Sequence, residues 1–454
     1  MMSKLIMSLS GMRGIIGDSL HPQIPLEMAM AFGTFIGKSP IIVGGDTRVS
    51  HDIIKNLVIS GLTSVGIDVI DIGKVTTPTV QQLIRHHNAA GGIVITASHN
   101  PIMWNGLKLM NKDGSFLTPN EYNAYMKHYT NKTIKLVPWN QLGSIHYDRS
   151  AIQTHIDKIL SIIPTDDIKN SSLKVLCDAN NGAGAIANPL LFDALGITYD
   201  IIESEPSGKF AHDPEPLEKN LSTIMTQMKS GHYDIGFVQD ADADRLVLLD
   251  ETGHFIGEDY SLGFCIDYIL KTESTTGDAV VVNLSTSRVI EDIAKQYNTE
   301  TYYTTIGESN VTQGIRHHNA IIGGEGNGGV IYPKVGWGRD SLVGMVLALK
   351  HLTHTQKKVS EIVSTYPNYV MVRDKFEVRS RNEIDLFLEN VKETFRNEKI
   401  DTQDGIKIMF DTGWVHTRPS NTEPIIRIFA EALTQEKARS FIQKIHAVKE
   451  ITVR

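Results

Sequence analysis

A strand–turn–helix–strand unit that occurs three times is the feature that most constrains the fold of this chain. Each copy opens with an apolar run, passes through a polar turn into a helical pattern, and returns to a second strand. The copies begin at SPIIVGGDTR (39–48), LKVLCDANNGAGA (173–185) and AVVVNLSTSR (279–288). Strands that alternate with helices are typical of βαβ units and parallel strand pairs. The repeat predicts three similar α/β domains with mixed sheets.

The length of the chain is compatible with a fourth domain. At roughly 100–200 residues per domain, 454 residues predict three or four. The last segment departs from the repeated pattern and closes with the helical stretch EKARSFIQKIHAV, which predicts an α+β domain. The predicted domains are 1–148, 149–254, 255–365 and 366–454, arranged around a central cleft.

Composition and charge narrow the class of protein. The hydrophobic content of 41% and charged content of 21% are those of a globular protein, and the net charge of −8 argues against non-specific nucleic-acid binding. Cys177 and Cys265 each lie in an apolar run, so both are expected to be buried and reduced. No signal-peptide pattern and no apolar stretch of about 18 residues occurs, so we expect no membrane span and a cytoplasmic protein.

A short helix and a further strand follow each repeated unit, and an unusual polar loop follows each of these further strands. The first unit ends in TASHNP, the second in QDADADR and the third in GEGNGG. In open α/β sheets, ligands bind outside the carboxyl ends of the strands. The three loops are therefore expected to face one cleft.

The loop of the second unit contains three alternating aspartates, Asp240, Asp242 and Asp244. In an extended segment, this spacing would crowd three carboxylates on one side, and their repulsion is costly unless a cation lies among them. All-oxygen ligands favour Mg²⁺ over zinc. A solvated acidic loop is the alternative, and the spacing of an EF-hand is absent.

The segment TRPSNTEPIIR in the last domain suits a phosphate dianion. It combines arginines, hydroxyls, an amide and exposed backbone N–H groups, and its candidate residues are Arg418, Ser420, Asn421, Thr422 and Arg427. An ordinary proline-containing turn is the alternative. The P-loop pattern is absent, so a nucleoside triphosphate is not implied.

The glycine-rich loop GGEGNGG does not fit the dinucleotide pattern GxGxxG at the start of a helix. Glu325, flanked by Gly324 and Gly326, suits a carboxylate that accepts two hydrogen bonds from sugar hydroxyls. A flexible loop without a ligand is the alternative. The hexapeptide IRHHNA, at 84–89 and 315–320, closes a helix in both units; its paired histidines fit a helix end better than a metal site.

Ser98 ends the strand GGIVI and lies beside His99, with Lys108 a short loop away. A serine hydroxyl is a poor nucleophile unless it is activated. With a predicted metal and a predicted phosphate site as partners, Ser98 suits a carrier of a phosphoryl group. A Ser-His-Asp hydrolase is the alternative mechanism, but GxSxG is missing and Asn-Pro follows where a helix should start.

At these motifs the chain resembles the α-D-phosphohexomutases, which include phosphoglucosamine mutase, phosphoglucomutase and phosphomannomutase. TASHNP resembles the family's active-serine motif, DADADR its metal loop, GEGNG its sugar loop and RPSNTEP its phosphate loop, in this order along the chain. SGMRG, with Arg13, resembles the N-terminal arginine loop. GEGNGG together with IGESN resembles the archaeal-type branch.

The resemblance implies an isomerase that interconverts hexose 6-phosphates and hexose 1-phosphates. Its expected partner is a small-molecule sugar phosphate, and its expected oligomeric state is a monomer or a homodimer. Phosphorylated Ser98 would transfer its phosphoryl group through a hexose 1,6-bisphosphate, which is intermediate and activator. By resemblance, Ser98 and the three aspartates hold Mg²⁺. Phosphoryl transfer would be supported by Arg13, His99, Lys108 and Arg245. The segment from Gly324 to Asn327 would bind the sugar, and the 418–427 segment would hold the second phosphate.

Substrate preference is the least determined part of the resemblance. Common bacterial members have serine at position 327 and histidine at 329, where this chain has Asn327 and Gly329, so the role of that histidine does not carry over. Glu308 stands where many members have a basic residue. Phosphoglucosamine mutase is the expected activity; the alternatives are a phosphoglucomutase/phosphomannomutase of dual specificity and an inactive sugar-phosphate-binding protein.

Overall fold

The computed structural model describes residues 5–420 and 424–452, which form four domains, each built on its own sheet. Three domains are α/β with mixed sheets, and the fourth is α+β, as the repeated unit and the different last segment predict. The exact domain boundaries stay a prediction. No helix among the described residues has the length and apolar character that crossing a membrane requires.

The first domain has a seven-stranded sheet in the order β1-β2-β6-β5-β3-β4-β7. Strands β3, β4, β5 and β7 are parallel, and the remaining pairs are antiparallel. Its elements are β1 (Ile6–Ser8), β2 (Gly11–Ile15), α1 (Gln23–Ile36), β3 (Ile41–Gly45), α2 (His51–Ser64), β4 (Val69–Lys74), α3 (Thr77–His86), β5 (Gly91–Ile95), β6 (Trp104–Asn111), α4 (Pro119–Thr130) and β7 (Ile145–Tyr147).

The second domain has a four-stranded sheet in the order β11-β10-β8-β9, with β11 as the antiparallel edge strand. Its elements are α5 (Ala151–Ile162), α6 (Asp166–Lys169), β8 (Lys174–Asp178), α7 (Gly184–Leu195), β9 (Thr198–Ile202), α8 (Ser222–Gly231), β10 (Ile235–Gln239) and β11 (Leu246–Leu249).

The third domain repeats that order as β15-β14-β12-β13, again with an antiparallel edge strand. Its elements are α9 (Glu258–Glu273), β12 (Ala279–Asn283), α10 (Val289–Gln296), β13 (Glu300–Thr304), α11 (Glu308–His318), β14 (Ile322–Glu325), β15 (Gly329–Ile331), α12 (Ser341–Thr355) and α13 (Val359–Val363). Strands β6-β5-β3-β4 of the first domain have the same arrangement, so the repeat in the sequence is a repeat of topology.

The fourth domain is an antiparallel sheet in the order β16-β20-β19-β18-β17, covered by two helices. Its elements are β16 (Val370–Glu377), α14 (Arg381–Thr394), β17 (Lys399–Asp401), β18 (Ile406–Phe410), β19 (Gly413–Pro419), β20 (Ile425–Ala432) and α15 (Gln435–Thr452).

The hydrophobic cores explain how the domains are joined. One continuous core runs through the first three domains and includes residues of α3, α5, α7, α9 and α12. The fourth domain has a core of its own, around Phe387, Ile428 and Phe441. Cys177 and Cys265 are buried and unpaired, as predicted. Burial of apolar surface therefore fixes the first three domains as one body.

Candidate active site

Ser98 follows strand β5 and is 1% exposed. Its backbone has a φ of +50°, in the left-handed region that non-glycine residues seldom adopt. The backbone N–H of Ser98 donates to Thr96 Oγ1 at 2.8 Å, and the Thr96 hydroxyl donates to Asp46 at 2.6 Å. The Ser98 hydroxyl donates to Asp240 Oδ2 at 3.1 Å. The turn therefore directs the serine side chain at the acidic loop of the second domain.

Arg48, which the sequence analysis did not select, holds this serine loop in place. Its guanidinium donates to the backbone carbonyls of Ser98, Asn100, Pro101 and Trp104, and its Nε–H donates to Asp46. Arg48 is 0% exposed. Because every N–H of the guanidinium has an acceptor, the loop is fixed by a single side chain from the end of β3.

The acidic loop brings Asp240, Asp242 and Asp244 together, all 0% exposed, with one oxygen of each within 4.8 Å of the others. The segment is a turn with Ala243 at a φ of +56°, so the expectation of an extended segment is wrong. The turn gives the same crowding because it folds the three carboxylates inward. Burial, with Asp244 and Asp242 nearby, raises the pKa of Asp240 well above its usual value.

A divalent cation fits this cluster. Oδ1 of Asp242 and Oδ1 of Asp244 are buried and have no hydrogen-bond partner among the described residues. Such orphaned carboxylate oxygens are costly unless a ligand compensates them. With Asp240 Oδ2 and the Ser98 hydroxyl they form an all-oxygen donor set, which hard cations prefer. The histidine pairs lie at the ends of α3, which closes at His86, and of α11, which closes at His318, so their interpretation as helix ends is confirmed.

Residues of the first domain support the other oxygens of the loop. Lys108 Nζ donates to Asp242 Oδ2 at 2.7 Å and to Asp244 Oδ2 at 2.8 Å. Thr77 adds its hydroxyl to Asp242 Oδ2 at 2.5 Å. Burial alone would lower the pKa of Lys108, but the two carboxylates outweigh it and raise the pKa. Lys108 is therefore a permanent cation beside the cluster.

His99 and Arg245 border the cleft beside Ser98, and Arg13 contacts the same serine loop. Arg245 Nη2 donates to His99 Nδ1 at 2.9 Å, and Arg13 Nη1 donates to Asn100 Oδ1 at 2.9 Å. The Arg245 guanidinium, with burial, holds the pKa of His99 well below its usual value. His99 is thus neutral with its proton on Nε2, since Nδ1 is an acceptor.

Glu325 ends β14, and both oxygens of its carboxylate accept hydrogen bonds. Its Oε1 accepts from Asn283 Nδ2 at 3.0 Å and from the backbone N–H of Gly307 at 3.1 Å. Its Oε2 accepts from Arg339 Nη1 at 3.0 Å. Gly324 and Gly326 flank it on the chain; the N–H of Gly326 donates to Thr286, and Asn327 is half-buried beside them.

The candidate phosphate segment lies in the fourth domain. Arg418 on β19 faces Arg427 on β20 in register, and Arg418 Nε pairs with Asp404 at 3.1 Å. The backbone N–H of Ser420 donates to the Ile425 carbonyl and closes the turn. Asn421 and Thr422 lie outside the described residues. The two arginines give this wall of the cleft a positive charge.

All four domains line one cleft of about 820 Å³, within the range of ligand pockets. It is bordered by His99, Arg245, Glu325, Asn327, Arg418 and Arg427. The predicted central cleft is therefore present. Arg48, Arg339, Glu308 and Asp404 are the site residues that the sequence analysis did not select, because their partners are distant in the chain; only Arg48 had a signal, as a charged residue ending the polar turn GGDTR.

Models of the phosphoglucomutase/phosphomannomutase domains match the chain in order. Alpha/beta/alpha domain I matches residues 4–135, domain II 153–253, domain III 257–369 and the C-terminal domain 372–448. The four matches follow the four sheets.

Curated relatives match nearly the whole chain. The phosphoglucomutase/phosphomannomutase of Thermococcus kodakarensis is 37% identical over 440 residues, covering 95% of this chain and 96% of the relative. A probable phosphoglucosamine mutase of Methanopyrus kandleri is 33% identical, covering 95% and 94%. A phosphoglucomutase/phosphomannomutase family protein of Burkholderia thailandensis, known by crystal structure, has a TM-score of 0.86 at 23% identity and covers 98% of each chain, a likeness of fold.

Proposed function

Because the chain belongs to the phosphoglucomutase/phosphomannomutase family of phosphohexomutases, we propose that it interconverts hexose 6-phosphate and hexose 1-phosphate through a phosphorylated Ser98. The observation that carries this proposal is the 3.1 Å hydrogen bond from the Ser98 hydroxyl to Asp240, inside a buried group of three carboxylates. A serine that only stabilised a turn would not need to face such a cluster.

In the proposed reaction, the phosphoryl group of phospho-Ser98 passes to the free hydroxyl of a hexose monophosphate. The bond from phosphorus to Ser98 Oγ breaks, a bond from phosphorus to the sugar oxygen forms, and the sugar hydroxyl proton ends on Ser98 Oγ. The hexose 1,6-bisphosphate reorients in the cleft, and the other phosphoryl group returns to Ser98. A bisphosphate supplied from solution would activate an unphosphorylated enzyme in the same way.

Asp240, Asp242, Asp244 and the phosphorylated Ser98 would hold Mg²⁺, which supplies charge neutralisation for phosphoryl transfer. The orphaned Oδ1 atoms of Asp242 and Asp244 support this donor set. Lys108 donates to the Oδ2 atoms of Asp242 and Asp244 and would thereby leave their Oδ1 atoms to hold the metal.

The basic groups around Ser98 would stabilise the charge of the transferring phosphoryl group. Arg245 Nε has no hydrogen-bond acceptor among the described residues, which supports the proposal that its N–H donates to an oxygen of the phosphoryl group. His99 would donate through Nε2 as a neutral imidazole, since Arg245 occupies Nδ1. Arg13, which contacts the serine loop through Asn100, would add a further positive charge on the first domain.

The sugar would lie between the third and fourth domains. Glu325 and Asn327, on the loop with Gly324 and Gly326, would bind its hydroxyls, while Arg418, Ser420, Asn421, Thr422 and Arg427 would bind the non-reacting phosphate. We expect glucosamine phosphate to be a good substrate, with glucose and mannose phosphates also converted; the relatives' names include both kinds of activity. Cytoplasmic location and a monomer or homodimer stay predictions from the sequence.

Ser98→Ala tests the proposal. We expect the variant to fold and to lose nearly all mutase activity, and intact-protein mass spectrometry should find a phosphate on wild type that maps to Ser98. Chelation should abolish wild-type turnover, and added Mg²⁺ should restore it. Ser161→Ala, on the exposed face of α5, is the matched control and should keep full activity. Full activity of Ser98→Ala would contradict the phosphoserine mechanism.

A further inference from the structure

Arg339 joins three loops of the cleft through three carboxylates. Its Nη2 donates to Asp244 Oδ2 at 2.7 Å, its Nη1 to Glu325 Oε2 at 3.0 Å and its Nε to Glu308 Oε2 at 3.0 Å. Asp244 belongs to the acidic loop and Glu325 to the glycine-rich loop. One guanidinium therefore fixes the proposed metal site and the proposed sugar site relative to each other.

The contacts require the planar fork of an arginine. Each of the three nitrogens donates to a different carboxylate, and Arg339 is 7% exposed, so water cannot replace a lost contact easily. A lysine has a single nitrogen and cannot reach three carboxylates in these directions. Glu308, which also accepts from Gln81 at 3.0 Å, anchors the Nε side of the fork.

Gly329 makes room for this arginine. A Cβ atom built at Gly329 would lie 2.2 Å from Cδ and 2.8 Å from Cγ of Arg339, closer than any real contact. Its backbone lies in strand β15 with no left-handed φ, so the need for glycine is one of space and not of conformation. The stem of Arg339 occupies the volume that a side chain at position 329 would fill.

We propose that Arg339 is a positioning residue that couples the metal site to the sugar site, and that it takes the place of a side chain at position 329. By holding Asp244 Oδ2 it leaves the unpartnered Oδ1 available to a metal, and by holding Glu325 Oε2 it fixes the orientation of this carboxylate at the cleft. The inference rests on the proposed function and deepens it, because it assigns the contact that links its two sites.

A double-mutant cycle of Arg339→Ala and Gly329→Ala tests the proposal. The readouts are the Kd of Mg²⁺ by titration calorimetry, the Kd of glucose 1-phosphate, and kcat and KM. We expect each single variant to weaken Mg²⁺ binding and to lower kcat/KM by about tenfold or more, the usual effect of losing a charge-assisted contact. Because Gly329→Ala acts by displacing Arg339, the double variant should be no worse than Arg339→Ala.

Two further variants separate positioning from general damage. Arg339→Lys keeps the charge but loses the fork, so it should weaken the binding of Mg²⁺ and of sugar phosphate together. Like Arg48→Lys it should also lower the unfolding midpoint, so both affinities are measured well below that midpoint, where the variant is folded. Arg316→Lys, on the outer face of the same domain against Trp337, is the matched control and should change neither.

The outcomes are distinct. Additive losses in the cycle, or a loss of only one of the two affinities in Arg339→Lys, would overturn the coupling. If the Ala variants do not fold, the Lys variant decides alone. A wild type that binds Mg²⁺ and glucose 1-phosphate but has no mutase activity would contradict the proposed function while leaving the coupling measurable.

Discussion

His51 illustrates how a single side chain can set a pH dependence. It begins helix α2, is 1% exposed, and has no partner for either ring nitrogen among the described residues. Burial lowers the pKa of His51 to about 4 from its usual 6.5. Between these values the unfolded chain binds a proton that the folded protein does not, so stability falls as the pH falls from 6.5 toward 4.

We expect His51→Leu to be neutral or stabilising at pH 7, because it removes two unsatisfied buried nitrogens. His51→Leu should also remove the part of the stability loss at low pH that is due to His51, which is about 3 kcal/mol at most. Free energies of unfolding at pH 7 and pH 4.5 measure both effects, with the exposed His317→Leu as control. If the free energy of unfolding decreases equally in wild type and His51→Leu between pH 7 and pH 4.5, His51 does not cause the loss of stability at low pH.

At the scale of elements, the short loops after parallel strands carry the chemistry, and residues of neighbouring loops fix them. The serine loop follows β5, yet its carbonyls are held by Arg48 from the end of β3. The sequence predicts the strands and the loop because apolar runs and Asn-Pro are local signals. It does not predict the hydrogen bonds from Arg48 to this loop, because 50 residues separate Arg48 from Ser98.

Arg48→Lys should lower both stability and activity. A lysine cannot replace five N–H donors, so buried carbonyls lose their partners, and we expect a loss of about 2–4 kcal/mol in the free energy of unfolding. Because Ser98 then loses its fixed position, kcat/KM should fall by about a hundredfold or more. Denaturant unfolding and steady-state kinetics measure these effects, with the exposed Arg396→Lys as control. Unchanged kcat/KM would mean that Arg48 does not position the serine.

At the scale of the whole molecule, the cleft combines three domains that share one core with a fourth that has its own. The repeated unit predicts three similar α/β domains because its apolar periodicity is strong. The strand order that four strands of each domain share was not predicted and is a finding of the structure. The placement of the fourth domain against the others depends on contacts such as Arg288 N–H to Glu431, which no local pattern reveals.

Arg418→Ala tests the role of this fourth domain. The non-reacting phosphate is common to every substrate, so kcat/KM should fall about ten- to a hundredfold alike for glucosamine, glucose and mannose 1-phosphates. Coupled assays on the three sugars measure the effect, and the exposed Lys399→Ala is the control within the same domain. A loss confined to one sugar would show that the segment recognises the sugar and not the phosphate.

The acidic loop and the glycine-rich loop show the limit of prediction within the site. The gathering of Asp240, Asp242 and Asp244 into one cluster is predicted by their number and spacing, although the turn that gathers them differs from the extended segment expected. The hydrogen bonds of the Glu325 carboxylate could not be predicted from the sequence, because their donors, Asn283, Gly307 and Arg339, come from three other segments.

The close fit between Gly329 and Arg339 has an evolutionary consequence. Since a Cβ at 329 and the stem of an arginine at 339 need the same space, a residue larger than glycine at 329 requires Arg339 to move or to be replaced. In an alignment of many family members the two columns should covary, with arginine at 339 accompanied by glycine at 329 and larger residues at 329 accompanied by a different residue at 339. This residue pair would then sort newly sequenced members into two lineages from their primary structure alone.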